Sequence, residues 1–487
     1  MLELGLNVVI MGPHNIQGGA IMVLDWQKLA QQYRDDYVAD LKTLVSIDSS
    51  RDDSQATADF PLGPGPAKAL AAFLAIAKRD GFTVKNLDNL AGYVEYGSGD
   101  ETLAILGHAD VMPAGKGWQT DPFTLTAKDG NLYGRGTSDD KGPALAAYYG
   151  LRMLKDQGIV PKMKVRFIIG TDEESDWTGM NHYLDLEPAP TLGFSPDAEF
   201  PLINGEKGNV TFETHFKGRN DGDYKLDEFD SGLRMNMVPR DAEADVTVPD
   251  AAKLAADFDA FLAQAPVTGE ATVDGQHLHL HVVGKAAHGM EPKNGINAGT
   301  YLATFLAPYA FGGDAQHFLN LLADQLHDDS RAHKLGLAYT DKVMGDLTMN
   351  VGIMTFKAGE AGLINTNFRY PTGTGAATIL AGLKQATAAM DVTVEQGREM
   401  VPHYVDPSDP IVATLMDVYR QQTGDTTAQP EVVGGGTYGR LMKRGVAFGA
   451  LFPGTQDTMH QADEFQPEAD LLKAMAIYGQ AIYELTK

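Results

Sequence analysis

Five side chains of the types that bind divalent cations stand at or just after short apolar segments of this chain. They are His108, Asp139, Glu174, Asp197 and His460. The sequence contains no cysteine, so a metal site must use histidine, aspartate and glutamate. Two imidazoles and three carboxylates suit a pair of zinc or similar divalent ions, with Asp139 bridging ions about 3.5–4 Å apart. Water bound between such ions loses a proton near neutral pH, which predicts hydrolytic chemistry.

Two further acids stand beside these candidate ligands. Glu173 precedes Glu174, so one carboxylate can bind metal while its neighbour stays free to act as a general base. Asp110 follows His108 by two residues and would accept the second ring N–H of that imidazole, which fixes its tautomer. Each pattern alone is more typical of a solvated turn. Their combination favours metal chemistry.

The glycine-rich stretch 134–142 contains Asp139 and precedes an apolar-periodic segment. Such a loop before a helix presents a carboxylate at the carboxyl end of a strand, where open α/β sheets have their ligand crevice. The same loop type also suits a phosphate group at a helix N-terminus, and its Asp-Asp pair also suits an exposed turn. The choice between these interpretations depends on the other ligand stretches.

The elements that carry these residues alternate between strand and helix. The runs 103–106 and 165–169 are apolar, as buried parallel strands are, and a helix is predicted at 143–157. The apolar run 446–452 is predicted as one further strand of the same domain. Each predicted strand ends in a candidate ligand. This order is typical of a three-layer α/β domain with a mostly parallel central sheet.

The pattern changes after residue 205. Polar and apolar residues alternate in the manner of half-buried antiparallel strands at 210–216, 242–248, 277–283 and 349–356. Helices are predicted between them. We therefore predict an inserted α+β lid domain at 206–402, and a zinc catalytic domain formed by 22–205 and 403–487.

Residues 1–21 do not share the amphipathic pattern that begins near Asp25. The segment 17–22 is compatible with a translated ribosome-binding sequence followed by a start codon. We expect either that the natural chain starts at Met22 after a translated leader or that 1–21 is an ordinary flexible extension.

Composition limits the classes of partner. The chain of 487 residues has a formal net charge of -26, which argues against nucleic acid and anionic membranes as partners. No apolar run is long enough to span a bilayer, and the N-terminal segment lacks the basic leader of a secretory signal. These features predict a cytoplasmic protein that binds a small molecule, with a local cationic anchor if the substrate is anionic.

Five motifs resemble one enzyme family as a set. They are the stretches 108–115, 134–142, 170–175, 195–197 and 452–460. Together they are similar to the metal motifs of the dinuclear-zinc peptidases and deacylases, which include carboxypeptidase G, aminoacylase, succinyl-diaminopimelate desuccinylase and the PepV-type dipeptidases. The resemblance covers the chain from about Met22 to its C-terminus.

The resemblance implies a role for each residue of the site. His108 and Asp197 hold one zinc, Glu174 and His460 hold the other, and Asp139 bridges the two. Glu173 is then the general base and Asp110 the orienting acid. The family also implies a cis peptide bond between Asp139 and Asp140.

The resemblance to the PepV-type members extends into the lid. His288, in the stretch 284–292, is similar to a lid histidine that donates to the oxyanion. Arg369 resembles an arginine that binds the substrate C-terminal carboxylate, and Asn236 resembles a polar lid contact. Gly435 and Gly436 resemble a loop that lets the substrate backbone approach closely. A lid of this size implies a monomer whose lid imitates a dimer partner.

These features predict a metal-dependent dipeptidase. It would hydrolyse dipeptides with free N- and C-termini through a dinuclear-zinc-bound hydroxide, with Glu173 as base. Mn²⁺ or Co²⁺ could replace the two Zn²⁺ ions. An N-acyl-amino-acid deacylase and a β-Ala-His-type dipeptidase share the same chemistry and differ only in the lid. A non-catalytic solute-binding protein is the alternative from a different class.

Overall fold

The computed structural model describes residues 24–487. The predicted leader or extension at 1–21, and the predicted start at Met22, lie outside the described residues. The described chain forms two large sheets, each with its own hydrophobic core. The α/β fold with a second, inserted sheet domain is therefore confirmed.

The first sheet is the scaffold of the candidate ligands. Its strands, in order across the sheet, are Thr83–Leu87, Ala91–Tyr96, Lys164–Gly170, Thr102–His108, Leu192–Ser195, Gly445–Ala447, Ile203–Glu206 and His403–Tyr404, with Glu431–Val433 paired to Ile203–Glu206. Parallel pairing joins the four strands from Lys164–Gly170 to Gly445–Ala447. Antiparallel strands flank them on both sides, so the predicted parallel arrangement is limited to the centre of a mixed sheet.

Helices cover both faces of this sheet. They are Trp26–Gln32, Arg34–Val45, Pro64–Arg79, Lys141–Asp156, Thr178–Leu186, Pro410–Thr423 and Glu468–Thr486. Alternate residues of the Thr102–His108 strand enter different cores: Leu103 and Ile105 join the core that contains most of the helices, whereas Ala104 and Leu106 pack with Trp177 and its neighbours. A strand that is apolar on both faces is thereby buried on both faces, as expected for the middle of three layers.

The second sheet, the lid sheet, is antiparallel throughout. Its strands, in order, are Thr268–Asp274, His277–Val283, Asp241–Thr247, Lys225–Ser231, Thr348–Lys357, Ala361–Tyr370, Gly208–Phe216 and Thr393–Met400. Its helices are Ala251–Leu262, Ala298–Leu306, Gly313–Asn320 and Ala376–Ala386, with a π-helical turn at Leu321–Leu326. The helices and one face of the sheet form a common apolar core, which leaves the opposite face polar.

The chain passes between the two sheets twice. Ile203–Glu206 pairs with His403–Tyr404 in the first sheet, whereas Gly208–Phe216 pairs with Thr393–Met400 in the lid sheet. Both crossings therefore lie side by side, as a hinge between two bodies requires. The domain limits 22–205, 206–402 and 403–487 stay a prediction.

Some elements differ from the sequence prediction. The apolar run 446–452, predicted as one strand, forms Gly445–Ala447 in the first sheet and Ala450–Leu451 in a separate two-stranded pairing. A cis peptide bond between Gly449 and Ala450 separates them. Two short ribbons join Met237–Val238 to Ala287–His288 and Thr340–Asp341 to Gly345–Asp346. A small three-stranded sheet has Asn131–Tyr133 in its centre, between Phe465–Pro467 and Thr126–Lys128. Across residues 24–487, no helix combines the length and the apolar content that a membrane crossing needs.

Candidate metal centre

The candidate ligands meet at one edge of the first sheet. His108 ends a parallel strand, and Glu174 and Asp197 follow the two strands that pair with it. Because the carboxyl ends of parallel strands lie at the same edge, three ligands are brought together by local geometry alone. Asp139 comes from the loop before the Lys141–Asp156 helix, and the Asp139–Asp140 peptide bond is cis, as the family resemblance implied.

The five ligands form two groups that share Asp139. In the first group, the Nε2 atom of His108 lies 3.0 Å from Asp139 Oδ1 and 3.6 Å from Asp197 Oδ2. In the second, the Nε2 atom of His460 lies 2.8 Å from Asp139 Oδ2 and 3.0 Å from Glu174 Oε2. Each oxygen of Asp139 thus faces a different imidazole. This is the arrangement of a carboxylate between two cation sites.

The donor spacing fits small divalent cations. Bonds of about 2.0–2.1 Å to nitrogen and oxygen in a tetrahedral site separate two donors by roughly 3.3 Å. The four distances above bracket that value, and the ligand atoms of each group all lie within 4.8 Å of one another. Among the described residues, these two groups are the ones that meet this criterion. The residues present therefore fit a metal centre.

The electrostatics of the cluster also favour cations. Burial raises the pKa of Glu174 to about 7, and the charge of Asp139 acts in the same direction. Burial, followed by the charge of Asp139, raises the pKa of Asp197. Burial also opposes ionisation of Asp139, but hydrogen bonds from His108 and His460 outweigh it and lower the pKa of Asp139. When several carboxylates lie close together away from water, bound cations stabilise their ionised form by compensating the negative charge.

Glu173 lies beside this cluster as a free acid. Burial and the charge of Asp197 hold the pKa of its carboxyl well above the usual range. The charges of His108, Glu174 and Asp139, which belong to both ligand groups, also act on its pKa. A half-buried carboxyl with a raised pKa suits a group that takes up and releases a proton.

Asp110 contacts His108 differently from the sequence prediction. The ring Nδ1 of His108 lies 3.0 Å from the backbone carbonyl of Asp110, whereas the carboxylate Oδ1 is 3.5 Å away. The other carboxylate oxygen accepts the backbone N–H of Glu174 at 3.2 Å. The carbonyl is thus the nearer acceptor for the ring N–H, and the carboxylate connects the two ligand loops. The orienting role of this carboxylate stays a prediction.

The lid brings His288 and Asn236 together. His288 lies on the short ribbon opposite Met237, and its Nδ1 accepts the backbone N–H of Met290 at 3.1 Å. In the neutral ring the proton is therefore on Nε2. Partial burial and the positive charges of Arg369 and His460 lower the pKa of His288, which places the lid histidine near the metal ligands of the same chain.

Arg369 is a nearly buried cation. Its side chain is 6% exposed, its Nε donates to Asn367 Oδ1 at 3.1 Å, and its Nη1 donates to the carbonyl of Gly434 at 2.9 Å. Burial and the charge of Arg440 lower its pKa to about 10. A guanidinium of this kind suits a bound carboxylate.

The glycine loop joins the lid arginine to the first sheet. Gly434 accepts from Arg369, and Thr437 donates through N–H and hydroxyl to Glu206 Oε1 at 3.1 and 2.7 Å. A Cβ atom at Gly435 would meet no atom within 4 Å, so this point of the loop borders open space. Gly436 lies between Gly435 and Thr437 in the same loop.

Two positions in this region were missed in the sequence. The side chain of Asn350 donates to the carbonyls of Met235 and Met237, at 2.9 and 2.8 Å, and thus holds both neighbours of Asn236. The backbone carbonyl of Asn236 in turn accepts the N–H of Gly289 at 2.7 Å. The second position is Glu206, whose carboxylate accepts from Thr437 of the glycine loop. Both are single polar residues within strands, and no spacing distinguishes them from ordinary strand positions.

The fold and this donor set define a metal-dependent hydrolase. A family model described as "Peptidase family M20/M25/M40" matches residues 104–484. The chain belongs to this family and is a metallopeptidase, which confirms the resemblance found in the motifs. The alternative of a non-catalytic solute-binding protein is thereby disfavoured.

Relatives agree with this assignment along nearly the whole chain. The chain is 44% identical over 470 residues to a protein named Beta-Ala-Xaa dipeptidase from Lactobacillus delbrueckii subsp. lactis, which covers 96% of this chain and 99% of that protein. It is 44% identical over 465 residues to a protein named putative dipeptidase from Staphylococcus aureus strain MW2, and this match covers 94% of this chain and 99% of that protein.

Solved structures support the fold alone. Human carnosine dipeptidase 1 aligns with a TM-score of 0.56 at 14% identity, covering 95% of this chain and 98% of that chain. A dipeptidase from Saccharomyces cerevisiae aligns with the same TM-score and identity, covering 94% and 98%.

Proposed function

We propose that this protein is a dipeptidase that holds two Zn²⁺ ions and hydrolyses dipeptides whose N- and C-termini are both free. One observation carries the proposal: two groups of metal ligands share Asp139, and the lid holds a nearly buried arginine, Arg369, whose charge acts, together with that of the ligand His460, on the lid histidine His288.

The ions would be held by His108 and Asp197 on one side and by Glu174 and His460 on the other, with Asp139 between them. When bound, they would polarise the peptide carbonyl and lower the pKa of water to about 7. Mn²⁺ and Co²⁺ accept the same nitrogen and oxygen donors. Because the chain has no cysteine, thiolate ligands, such as those of iron–sulfur clusters and copper(I) sites, are excluded.

Glu173 would move the proton. Its carboxyl takes the proton from the attacking water and delivers it to the nitrogen of the leaving amine. The raised pKa supports this role, because it makes the carboxylate a stronger base than an ordinary glutamate. Asp110 would keep the ring of His108 and the backbone of Glu174 in place.

His288 would stabilise the oxyanion of the tetrahedral intermediate. Its Nδ1 is occupied by the N–H of Met290, so Nε2–H is the donor that remains. The lowered pKa keeps the ring neutral at pH 7, and a neutral ring donates without adding a net charge.

The ends of the substrate would be bound by different parts of the cleft. Arg369 would bind the C-terminal carboxylate, and Asn236 would contact the substrate from the lid. The open space beside Gly435 would admit the substrate backbone, and Gly436, whose Cα lies close to the guanidinium of Arg440, leaves no side chain in the way. Glu173 or the neighbouring acids would pair with the free amine. A cleft closed at both ends favours dipeptides over longer peptides.

We also propose a monomer in the cytoplasm. His288 comes from the same chain as the metal ligands, so a second subunit is not needed to supply it. Both edge strands of the lid sheet, Thr268–Asp274 and Thr393–Met400, are largely exposed and carry charged residues, which opposes pairing with another sheet. Sedimentation at several dilutions tests the monomer, and cell fractionation tests the location.

One set of assays tests the function. Purified protein is given a dipeptide, a tripeptide and an N-acetylated dipeptide, each with and without chelator. We expect chelator-sensitive hydrolysis of the dipeptide only. The variant Glu173→Ala should keep its metal content and lose nearly all turnover. Glu187→Ala removes a carboxylate that binds Lys85 and Arg166, and serves as the control that keeps activity. Near wild-type turnover by Glu173→Ala would contradict the assignment.

A β-Ala-Xaa dipeptidase is the second candidate, because a relative with that name is 44% identical over nearly the whole chain. Comparing an α-linked dipeptide with β-Ala-His distinguishes the two, since the extra methylene of β-alanine moves the free amine away from the scissile bond. Hydrolysis of N-acetyl amino acids would instead support the deacylase alternative.

A further inference from the structure

Glu464 is a buried acid whose side chain contacts the loop of Asp139. One carboxylate oxygen, Oε1, accepts three backbone N–H groups, those of Gly136, Ser138 and Asp139, at 3.0, 2.9 and 3.1 Å. The side chain is fully buried. A carboxylate that accepts several backbone N–H groups fixes the conformation of the loop that supplies them.

The remaining hydrogen-bonding groups of Glu464 bind the same segment. Its second oxygen, Oε2, accepts Nη1 of Arg135 at 2.6 Å, and the side chain of Arg135 is also buried. The backbone carbonyl of Glu464 accepts the N–H of Gly134 at 3.0 Å. One residue thus contacts nearly every position from 134 to 139.

Glu464 also belongs to the segment that carries His460. The hydroxyl of Thr458 donates to the carbonyl of Phe465 at 3.1 Å and accepts the N–H of Phe465 at 3.1 Å. These two bonds close a loop over 458–465, with His460 inside it. A further bond joins the carboxylate of Asp463 to the N–H of Gln119 at 2.7 Å. The position of Glu464 therefore affects that of His460.

We propose that Glu464 is a positioning residue of the metal centre: by joining the 134–139 loop to the 458–465 loop, it sets the separation of the ligands Asp139 and His460. This inference rests on the metal site proposed above. Metal–ligand distances tolerate only about 0.2 Å, so a small shift between these loops weakens binding. The centre is sensitive here because Asp139 faces both imidazoles, and its displacement disturbs both ligand groups.

The test is Zn²⁺ binding by chelator-treated protein, measured in competition with a chromogenic chelator and independently of activity. Glu464→Asp keeps the charge but shortens the side chain, so it cannot hold the three N–H groups and the guanidinium in their present positions. We expect its Kd for Zn²⁺ to rise about 10–100-fold, the usual effect of losing a residue that orients metal ligands. Glu464→Gln keeps an oxygen for the three N–H groups, so we expect a smaller change in Kd.

Thermal unfolding of the metal-free proteins separates positioning from general stability. Glu464→Gln leaves buried Arg135 without a charged partner, so we expect it to unfold at a lower temperature than the wild type while binding zinc better than Glu464→Asp. Glu187→Gln is the matched control, because Glu187 also pairs with a buried arginine, Arg166, but touches neither ligand loop. It should lower stability and leave Kd unchanged.

Two results would overturn the inference. One is wild-type affinity in Glu464→Asp; the other is a Kd that simply follows stability across all three variants. If the wild-type protein itself binds no Zn²⁺, Mn²⁺ or Co²⁺, the proposed function fails before Glu464 is tested. The two failures are therefore distinguishable.

Discussion

Replacing Arg369 with methionine should abolish recognition of the substrate carboxylate while leaving the chemistry of the metal centre intact. Methionine keeps an unbranched apolar side chain at a position that is 6% exposed, and it removes the charge and all five N–H donors. Two of those donors bind Asn367 and Gly434. The others have no hydrogen-bond partner among the described residues, so they are available to a ligand.

The magnitude follows from the burial of this cation. The pKa of Arg369 is lowered to about 10 by burial and by Arg440, so the guanidinium is still charged at neutral pH. Removing one partner of a buried, hydrogen-bonded charge pair costs about 2–5 kcal/mol. With about 1.36 kcal/mol for each factor of ten, we expect kcat/KM for a dipeptide to fall about 30- to 5000-fold.

The assay compares one dipeptide with the same dipeptide carrying a C-terminal amide. Wild-type protein should prefer the free acid, whereas Arg369→Met should hydrolyse the two substrates at similar rates. The amide should be hydrolysed about equally well by both proteins, since it lacks the group that Arg369 binds. Arg240→Met is the control, because Arg240 is largely exposed and pairs only weakly with Asp241. An equal loss on acid and amide would refute the reasoning.

Three further predictions concern the lid, the hinge and the core. His288→Ala should lower kcat by about 10²–10³-fold with unchanged metal content, because it removes an oxyanion donor, and specific activity should not depend on dilution if the lid acts within one chain. Burial raises the pKa of Glu206 from 4.5 to about 7, so the folded state holds this proton more tightly than the unfolded state does. Stability from this group is thus present below about pH 4.5 and is lost as pH rises to about 7. Between pH 5 and pH 8, the free energy of unfolding of the wild type, measured with urea, should fall by up to about 3 kcal/mol more than that of Glu206→Gln. If the free energies of the two proteins change in parallel with pH, the effect is excluded. Phe194→Ala should lower the free energy of unfolding by about 3–5 kcal/mol, since this ring is fully buried and stacks on Tyr478.

Local sequence patterns predicted the first sheet well because each pattern reflects a local cause. An apolar run such as 103–106 must be buried on both faces, and its final residue then lies at the carboxyl edge. The alternating segments of the lid were also predictable at Gly208–Phe216 and His277–Val283. Lys225–Ser231 and Thr393–Met400 were missed, because both segments are rich in charged residues and contain few apolar ones, so the alternation that marks a strand is weak. Thr393–Met400 is in addition an exposed edge strand.

The apolar run 446–452 shows a different limit. Its composition suits a buried strand over its full length, but the chain leaves the first sheet after Ala447 and pairs Ala450–Leu451 with Ala198–Glu199 instead. The hydrophobicity of a segment predicts that it is buried, but it does not predict with which strand the segment pairs.

The sequence by itself determined the chemical types at the site: two imidazoles and three carboxylates, a neighbouring acid at Glu173, and no thiolates. It also determined that His108, Glu174 and Asp197 meet, because parallel strands align their carboxyl ends. Only the tertiary structure decided that His460 and His288 approach them, that the carbonyl of Asp110 is the nearer acceptor for the His108 ring, and that Glu464 joins two ligand loops. These contacts join residues far apart in the chain, or depend on side-chain orientation, and neither leaves a periodic pattern in a single sequence.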